Sequence, residues 1–225
     1  MITETSSDLL FHSDAGLAVA KAAAHLADSA LLAEGGCLTS ASVAAYYGLF
    51  HLGLAVMWIV PGSLDDRLRD DLERIRREGA GLPDKTISHD KMRGYLTAVF
   101  KAQSGVDLGA LGSLFCSAKE LREFVQYGPR VTYEGGQSYV GPCHLTHSIA
   151  RRLINDANDS FVATLTTIHP LCTYKGAAWG FAMGSAPRLL SDTQFPFVGW
   201  YTEATLVRAK LMIESVKEMV SKKAS

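Results

Sequence analysis

The chain has no excess of charge of either sign. Its 22 Lys and Arg against 23 Asp and Glu leave a formal net charge of −1 across 225 residues. A uniformly basic nucleic-acid coat is excluded, although a local basic patch is not. Cysteine pairs are missing too. Cys37, Cys116, Cys143 and Cys172 all stand more than three residues apart, so no CxxC redox or zinc motif exists. Met1 to Asp14 is polar and mildly acidic, with neither the basic nor the apolar region of a secretory signal. These features predict reduced thiols and a cytoplasmic protein with a short N-terminal tail over 1–14. Neither a Walker loop nor a GxGxxG run is present, which argues against an ATPase or a dinucleotide-dependent enzyme. Alternation of apolar and polar residues over five or more positions is also absent, and with it the signal for a strand.

Metal ligands are poorly placed. Cys143, His144 and His147 lie close together, but His169 and Cys172 fall at the far end of the same expected helix. His147 and His169 would be about 33 Å apart at 1.5 Å per residue. No Glu-x-x-His pair offers a di-iron site, so neither metal nor cofactor is expected.

What the chain has is helical period. With 48% hydrophobic residues it can bury a substantial core. Leu17, Ala20, Ala24, Ala27 and Leu31 make a one-face stripe that Gly35–Gly36 should stop. A second helix is expected from Thr39 or Ser40, capped by a hydroxyl, to Pro61–Gly62. Cys37 to Leu64 carries no Asp, Glu, Lys or Arg. Tyr46, Tyr47 and His51 within this stretch, and acidic flanks at Glu34 and Asp65–Asp66, favour a central helix enclosed by others over a membrane span.

Asp65/Arg69, Asp70/Arg74 and Glu73/Arg77 are acid-first pairs four residues apart, the pattern of a solvated inserted helix over 63–77. Ser88 should cap a helix bearing Met92, Leu96, Val99 and Phe100. The next helix carries Leu108, Leu111, Phe115, Ala118 and Val125 and ends at Gly128–Pro129. Gly128 to Pro142 reads as a loop. A long helix from His144 to His169 points Leu145, Ile149, Leu153, Ala157, Phe161, Leu165 and Ile168 inward. Leu171 to Gly199 has no clear period, yet Trp179, Phe181, Phe195 and Phe197 predict an ordered, packed excursion. A final helix spans Trp200 to Lys222. The prediction is an all-α helical bundle over 15–170, with a C-terminal extension over 171–225 that packs on the bundle or on a partner protein through residues 200–222.

Several segments resemble one family. Ala44-Ala-Tyr-Tyr-Gly-Leu-Phe-His51 is similar to the AYYAxFH helix of HEPN domains (higher eukaryotes and prokaryotes nucleotide-binding). Ser88-His89-Asp-Lys91 resembles the segment that opens that family's next core helix. Leu121-Arg122-Glu-Phe-Val-Gln-Tyr127 looks like its L–R–xx–aDY helix end, and Ala157 to Ile168 like its last helix. The likeness runs from about Gly16 to His169, roughly two thirds of the chain. It implies an up-and-down bundle of four to five core helices, a homodimer, a nucleotide or RNA ligand, and a toxin–antitoxin or defence setting.

Active members of the family are metal-independent ribonucleases with an Arg followed four to six residues on by a His. The His takes the ribose 2′-OH proton and the Arg stabilises charge on the phosphate. Here Arg122 has Tyr127 at that distance, and no Arg in the chain has a His four to seven residues after it. A phenol is ionised only about one part in a thousand at pH 7. The sequence therefore points to a non-catalytic or catalytically altered binding or regulatory protein, with Arg122, Tyr127, His89 and Tyr47 as ligand-binding candidates. One alternative is an endoribonuclease using Arg122 with His51 or His89 as base; another is a structural, partner-binding subunit. Arg122 has a second reading as an internal ion pair. Tyr46, Tyr47 and His51 also read as hydrogen-bonded core residues.

Overall fold

The computed structural model describes residues 6–60, 70, 87–102, 109–127, 131–134, 137–140, 145–172, 177–192 and 198–225. Seven helices occur among them: α1 (Ser6–Glu34), α2 (Leu38–Ile59), α3 (His89–Ala102), α4 (Gly109–Tyr127), α5 (Leu145–Ile168), α6 (Ala177–Leu189) and α7 (Glu203–Ala224). Short 3₁₀ turns lie at His169–Leu171 and Val198–Trp200. The architecture is the expected all-α bundle. Of the inserted helix expected over 63–77, only Asp70 is described, helical and exposed; the rest lies outside the described residues.

The α1–α2 hairpin organises the molecule. Gly36 takes φ +79°, the left-handed conformation that suits glycine. Cys37 N–H then donates to Leu32 O at 2.8 Å and Gly36 N–H to Ala33 O at 3.1 Å, which closes α1 with a Schellman motif. The turn is so short that α2 starts at Leu38, with Cys37 as its N-cap and no side-chain capping bond. The hydroxyl cap expected from Thr39 or Ser40 is therefore not made, since both already lie inside the first turn. A polar tie forms deeper in the hairpin, where buried Ser29 donates to Ala41 O at 2.7 Å.

Small residues let the two helices approach. Ala20, Ala22, Ala23, Ala24 and Ala27 are wholly buried, and no position is exposed over 15–29 of α1 or 41–59 of α2. Leu17 and Leu31, expected inward, are only half-buried, because the tightest contact lies on the alanine side. A Cβ placed on Gly48 would stand 2.6 Å from Leu26 Cγ and Cδ2 and 3.3 Å from the Leu26 backbone nitrogen. Asp14–Glu34 of α1 and the whole of α2 are long and apolar enough to cross a membrane, and 61% and 72% of their most apolar windows are buried within the bundle.

The remaining helices wrap this pair. α5 buries Ala150, Leu153, Ile154, Ala157, Phe161, Leu165 and Ile168, but Ile149 is 48% exposed, against expectation. Steps of four residues advance 400° round a helix, so a stripe of fours drifts off the core face, and Ala150 replaces Ile149 there. α4 buries Leu111, Phe115 and Ala118. α3 begins where Ser88 Oγ accepts from Lys91 N–H at 3.2 Å, as expected, and buries Met92, Tyr95 and Leu96. Leu108, Phe195, Phe197 and the side chains of Val99, Phe100, Val125 and Leu145 lie outside the described residues.

Two elements differ from the sequence reading. The segment read as a loop holds an antiparallel pair, β1 (Val131–Glu134) with β2 (Gln137–Val140), in register Val131 to Val140 and Glu134 to Gln137. Each strand is four residues long, too short to show alternation over five. The aperiodic stretch after Leu171 contains α6, with Pro187 inside it. Its buried residues Trp179, Ala182, Met183 and Ala186, with Leu190 just after it, do follow a helical spacing, masked in sequence by Gly180, Gly184 and Pro187. Phe181, expected to pack, is 42% exposed. α6 lies so close to α1 that a Cβ on Gly16 would fall 2.0 Å from Ser185 Oγ.

The last helix starts at Glu203 rather than Trp200, because Thr202 caps it by accepting from Thr205 N–H at 3.2 Å. Trp200 is left 84% exposed. Arg208 of α7 reaches Glu34 of α1 at 2.7 Å, and Ala209, Ile213 and Val216 join the same hydrophobic core as α1 and α2. The C-terminal extension thus packs on the bundle.

Gly48→Ala should destabilise the protein by about 1–3 kcal/mol through overpacking against Leu26, measured as a lower urea midpoint with an unchanged slope.

Candidate functional site

Tyr46, Tyr47, Phe50 and His51 leave α2 as two neighbouring pairs one turn apart, so they line two adjacent sides of one helix. The first side faces α3 and α4. There the Tyr46 hydroxyl is hydrogen-bonded to His89 Nδ1 from the start of α3. The Tyr46 ring lies 5.5 Å from Phe115, 5.4 Å from Tyr47 and 5.3 Å from the His89 imidazole. Phe50 closes the back, 5.0 Å from His89.

Arg122 comes from α4, on the same side as Phe115 and Lys119. Its guanidinium carbon sits 5.0 Å from the Tyr46 ring centre and 5.8 Å from that of Tyr47. Its positive charge favours the ionised form of the Tyr46 hydroxyl. Lys119 holds exposed Asp90 at 3.0 Å, tying the α4 face to the first turn of α3. Half-buried Arg122, Lys119 and His89 converge here beside an α-helix N-terminus.

Burial dominates the titration behaviour. Tyr46 is pushed up to about 12 by desolvation, which outweighs the opposing effect of Arg122. His89 is held below the ordinary imidazole value by burial first and then by the Arg122 and Lys119 charges, so it is neutral at pH 7. Asp90 is lowered by its bond to Lys119.

The hydrogen-bond order follows. The Tyr46 phenol keeps its proton at neutral pH and is able to donate it to His89 Nδ1. A neutral imidazole that accepts at Nδ1 carries its proton on Nε2. With Tyr46 as the donor, His89 presents an N–H at Nε2.

The second side of α2 faces α1 and the approach to α7. His51 stacks on His25 with ring centres 5.3 Å apart and planes 2° from parallel. Tyr201 hydroxyl lies 2.9 Å from His25 Nδ1, and Tyr47 is 5.9 Å from the same ring. His25 is lowered to about 4, by burial and then by Lys21. His51 is lowered to about 3, by burial, then His25, then Lys21. Burial raises nearby Asp28, partly offset by its hydrogen bond to Thr205.

Of the residues singled out in sequence, Arg122, His89 and Tyr47 meet at one site. His51 belongs to the other cluster, separated from His89 by the Phe50 ring. Tyr127 ends α4, but its side chain lies outside the described residues. Tyr46 turns out to be both a core aromatic and the link between Arg122 and His89. Lys119, one turn before Arg122 on the same helix, was legible from spacing and was not singled out. His25 and Tyr201 carried no signal, since their pairing spans 176 positions. No group of three or more His, Cys, Asp or Glu able to hold a metal occurs among the described residues.

Comparison with protein-family models, curated proteins and solved structures returns no match.

Acid should loosen this structure early. Both folded-state values of His25 and His51 lie below the unfolded imidazole value of 6.5, so the unfolded chain binds more protons between pH 6.5 and 4. Stability should be full above pH 6.5 and fall by about 2 kcal/mol or more on the way to pH 4. His25→Phe should flatten the profile of urea midpoint against pH over that window.

Proposed function

We propose that the protein is a binding or regulatory protein for a nucleotide or RNA, taking a phosphate group at Arg122 and His89 and leaving the ligand uncut. The observation that carries this reading is the Arg122 guanidinium held over two tyrosine rings beside the Tyr46–His89 hydrogen bond. With Tyr46 donating to Nδ1, His89 offers Nε2–H as a second donor beside the Arg122 cation. Two donors suit an anionic oxygen; cleavage through the ribose 2′-OH also needs an acceptor for its proton. His51 is a poor substitute, since it stacks on His25 behind the Phe50 ring. The resemblance of the Ala44–His51, Ser88–Lys91 and Leu121–Tyr127 segments to HEPN domains supports the same ligand class and a defence or toxin–antitoxin setting.

We take α1 and α2 as the core of a soluble, cytoplasmic protein. Lys21, Asp28, His25 and Ser29 would be costly facing lipid, and each is at least half-buried against protein. The full-length chain should stay in the supernatant of a detergent-free high-speed spin.

Fluorescence anisotropy with a labelled oligoribonucleotide, competed by ATP, tests the ligand reading. Arg122→Ala should weaken binding about 10–100-fold, the worth of a charge-assisted hydrogen bond, with the melting curve little changed. RNA incubated with the protein in EDTA should remain intact. Cleavage that Arg122→Ala abolishes would overturn the non-catalytic reading in favour of an endoribonuclease; absence of binding to RNA and nucleotide alike would remove both.

A further inference from the structure

α7 is anchored to the bundle along one face by Thr205, Ala209, Ile213, Val216 and Val220. Its opposite face carries Val207, Leu211 and Met219, which are 51%, 62% and 47% exposed. Such a face on a helix this well anchored calls for an occupant. An open groove of about 510 Å³ beside it is lined by Leu31, Glu203, Ala204, Val207, Arg208 and Leu211.

The order of charges along α7 identifies the occupant. Ala204, Arg208, Leu211, Ser215, Glu218 and Lys222 are spaced alternately by four and three, the repeat of a coiled-coil seam. Lay a second α7 antiparallel across this seam, with the two-fold axis level with Ile213. Leu211 then faces Ser215 of the other copy, Arg208 faces Glu218, and Glu203 faces Lys223. Each contact occurs twice, as a two-fold axis requires. A parallel arrangement would instead set Arg208 on Arg208 and Glu218 on Glu218. Glu214 comes near its own counterpart in the antiparallel pair, but each Glu214 already holds Lys217 at 2.8 Å, which offsets that charge.

We propose that the outer face of α7 is a self-association surface, pairing antiparallel with the α7 of a second copy of this chain through Leu211 and the Arg208–Glu218 contacts. The groove then receives the Ser215–Lys222 turns of that copy, whose Met219 is the apolar side chain within reach. Arg208 reaches the surface: its Nη2 holds Glu34, its Nη1 is buried without a hydrogen-bond partner, and its side chain is 38% exposed. This surface lies outside the region of the family resemblance and does not depend on the ligand reading.

Sedimentation velocity on the full chain tests it. At about 100 μM the wild type should sediment as a dimer, and added salt should weaken it because the Arg208–Glu218 and Glu203–Lys223 contacts are ionic. Leu211→Glu should give a monomer with an unchanged melting temperature. Glu218→Arg should also give a monomer, and adding Arg208→Glu to it should restore the dimer. Arg122→Ala should leave the dimer intact, so failure of this surface and failure of the ligand site are separable. A monomeric wild type overturns the proposal, as does a dimer that survives both Leu211→Glu and Glu218→Arg.

Discussion

Two apolar helices pressed together through small side chains set the geometry of everything else. Where Gly48 meets Leu26, hydrogen takes the place of a side chain, and the two backbones come close enough that even a methyl group would collide. A buried Ser29–Ala41 hydrogen bond and the short Gly35–Cys37 connection fix how far one helix can slide past the other. With that pair fixed, α2 offers its flanks to different neighbours. One flank meets α3 and α4, the other α1 and the start of α7. The chemistry of the molecule sorts itself along this division.

On the α3–α4 side, aromatic rings and a cation are arranged so that burial and charge oppose each other. Removing Tyr46 from water makes its phenol harder to ionise, which keeps it a neutral partner of the His89 imidazole beneath the Arg122 guanidinium. A cation above an aromatic face gains about 0.5–2 kcal/mol, depending on how dry the contact is, and keeps its N–H groups directed. On the other side, two imidazoles stack face to face with a lysine nearby, a combination stable only while both rings stay uncharged. Tyr47 touches both groups: Arg122 lies over one side of it and His25 near another.

Much of this was legible in the residues. Helical period identified most of the described helices, and Gly36 and Ser88 marked their boundaries because backbone conformation and capping act over a few residues. The convergence of Arg122, His89 and Tyr47 was anticipated through resemblance, since spacing alone says nothing about which faces of three helices meet. The failures have local physical causes. α6 was hidden because Gly180, Gly184 and Pro187 are read as breakers, although packing against α1 outweighs their poor propensity. The β1–β2 pair was hidden by its brevity. Ile149 was misplaced because a stripe of fours and the true helical period part company within a few turns. Tyr201 and His25 were invisible, since contact between positions so distant in sequence is decided by tertiary packing alone.

Gly53 lends its missing side chain's space to Met92, whose sulfur would lie 2.6 Å from a Cβ placed there. Met92 is wholly buried, so a peroxide meets its thioether only when α3 lifts away from α2. A sulfoxide is larger and polar, and the niche holds no room for its added oxygen. Once oxidised during such an excursion, the chain could not fully close again, and the modification would accumulate as a chemical clock of how often this contact breathes.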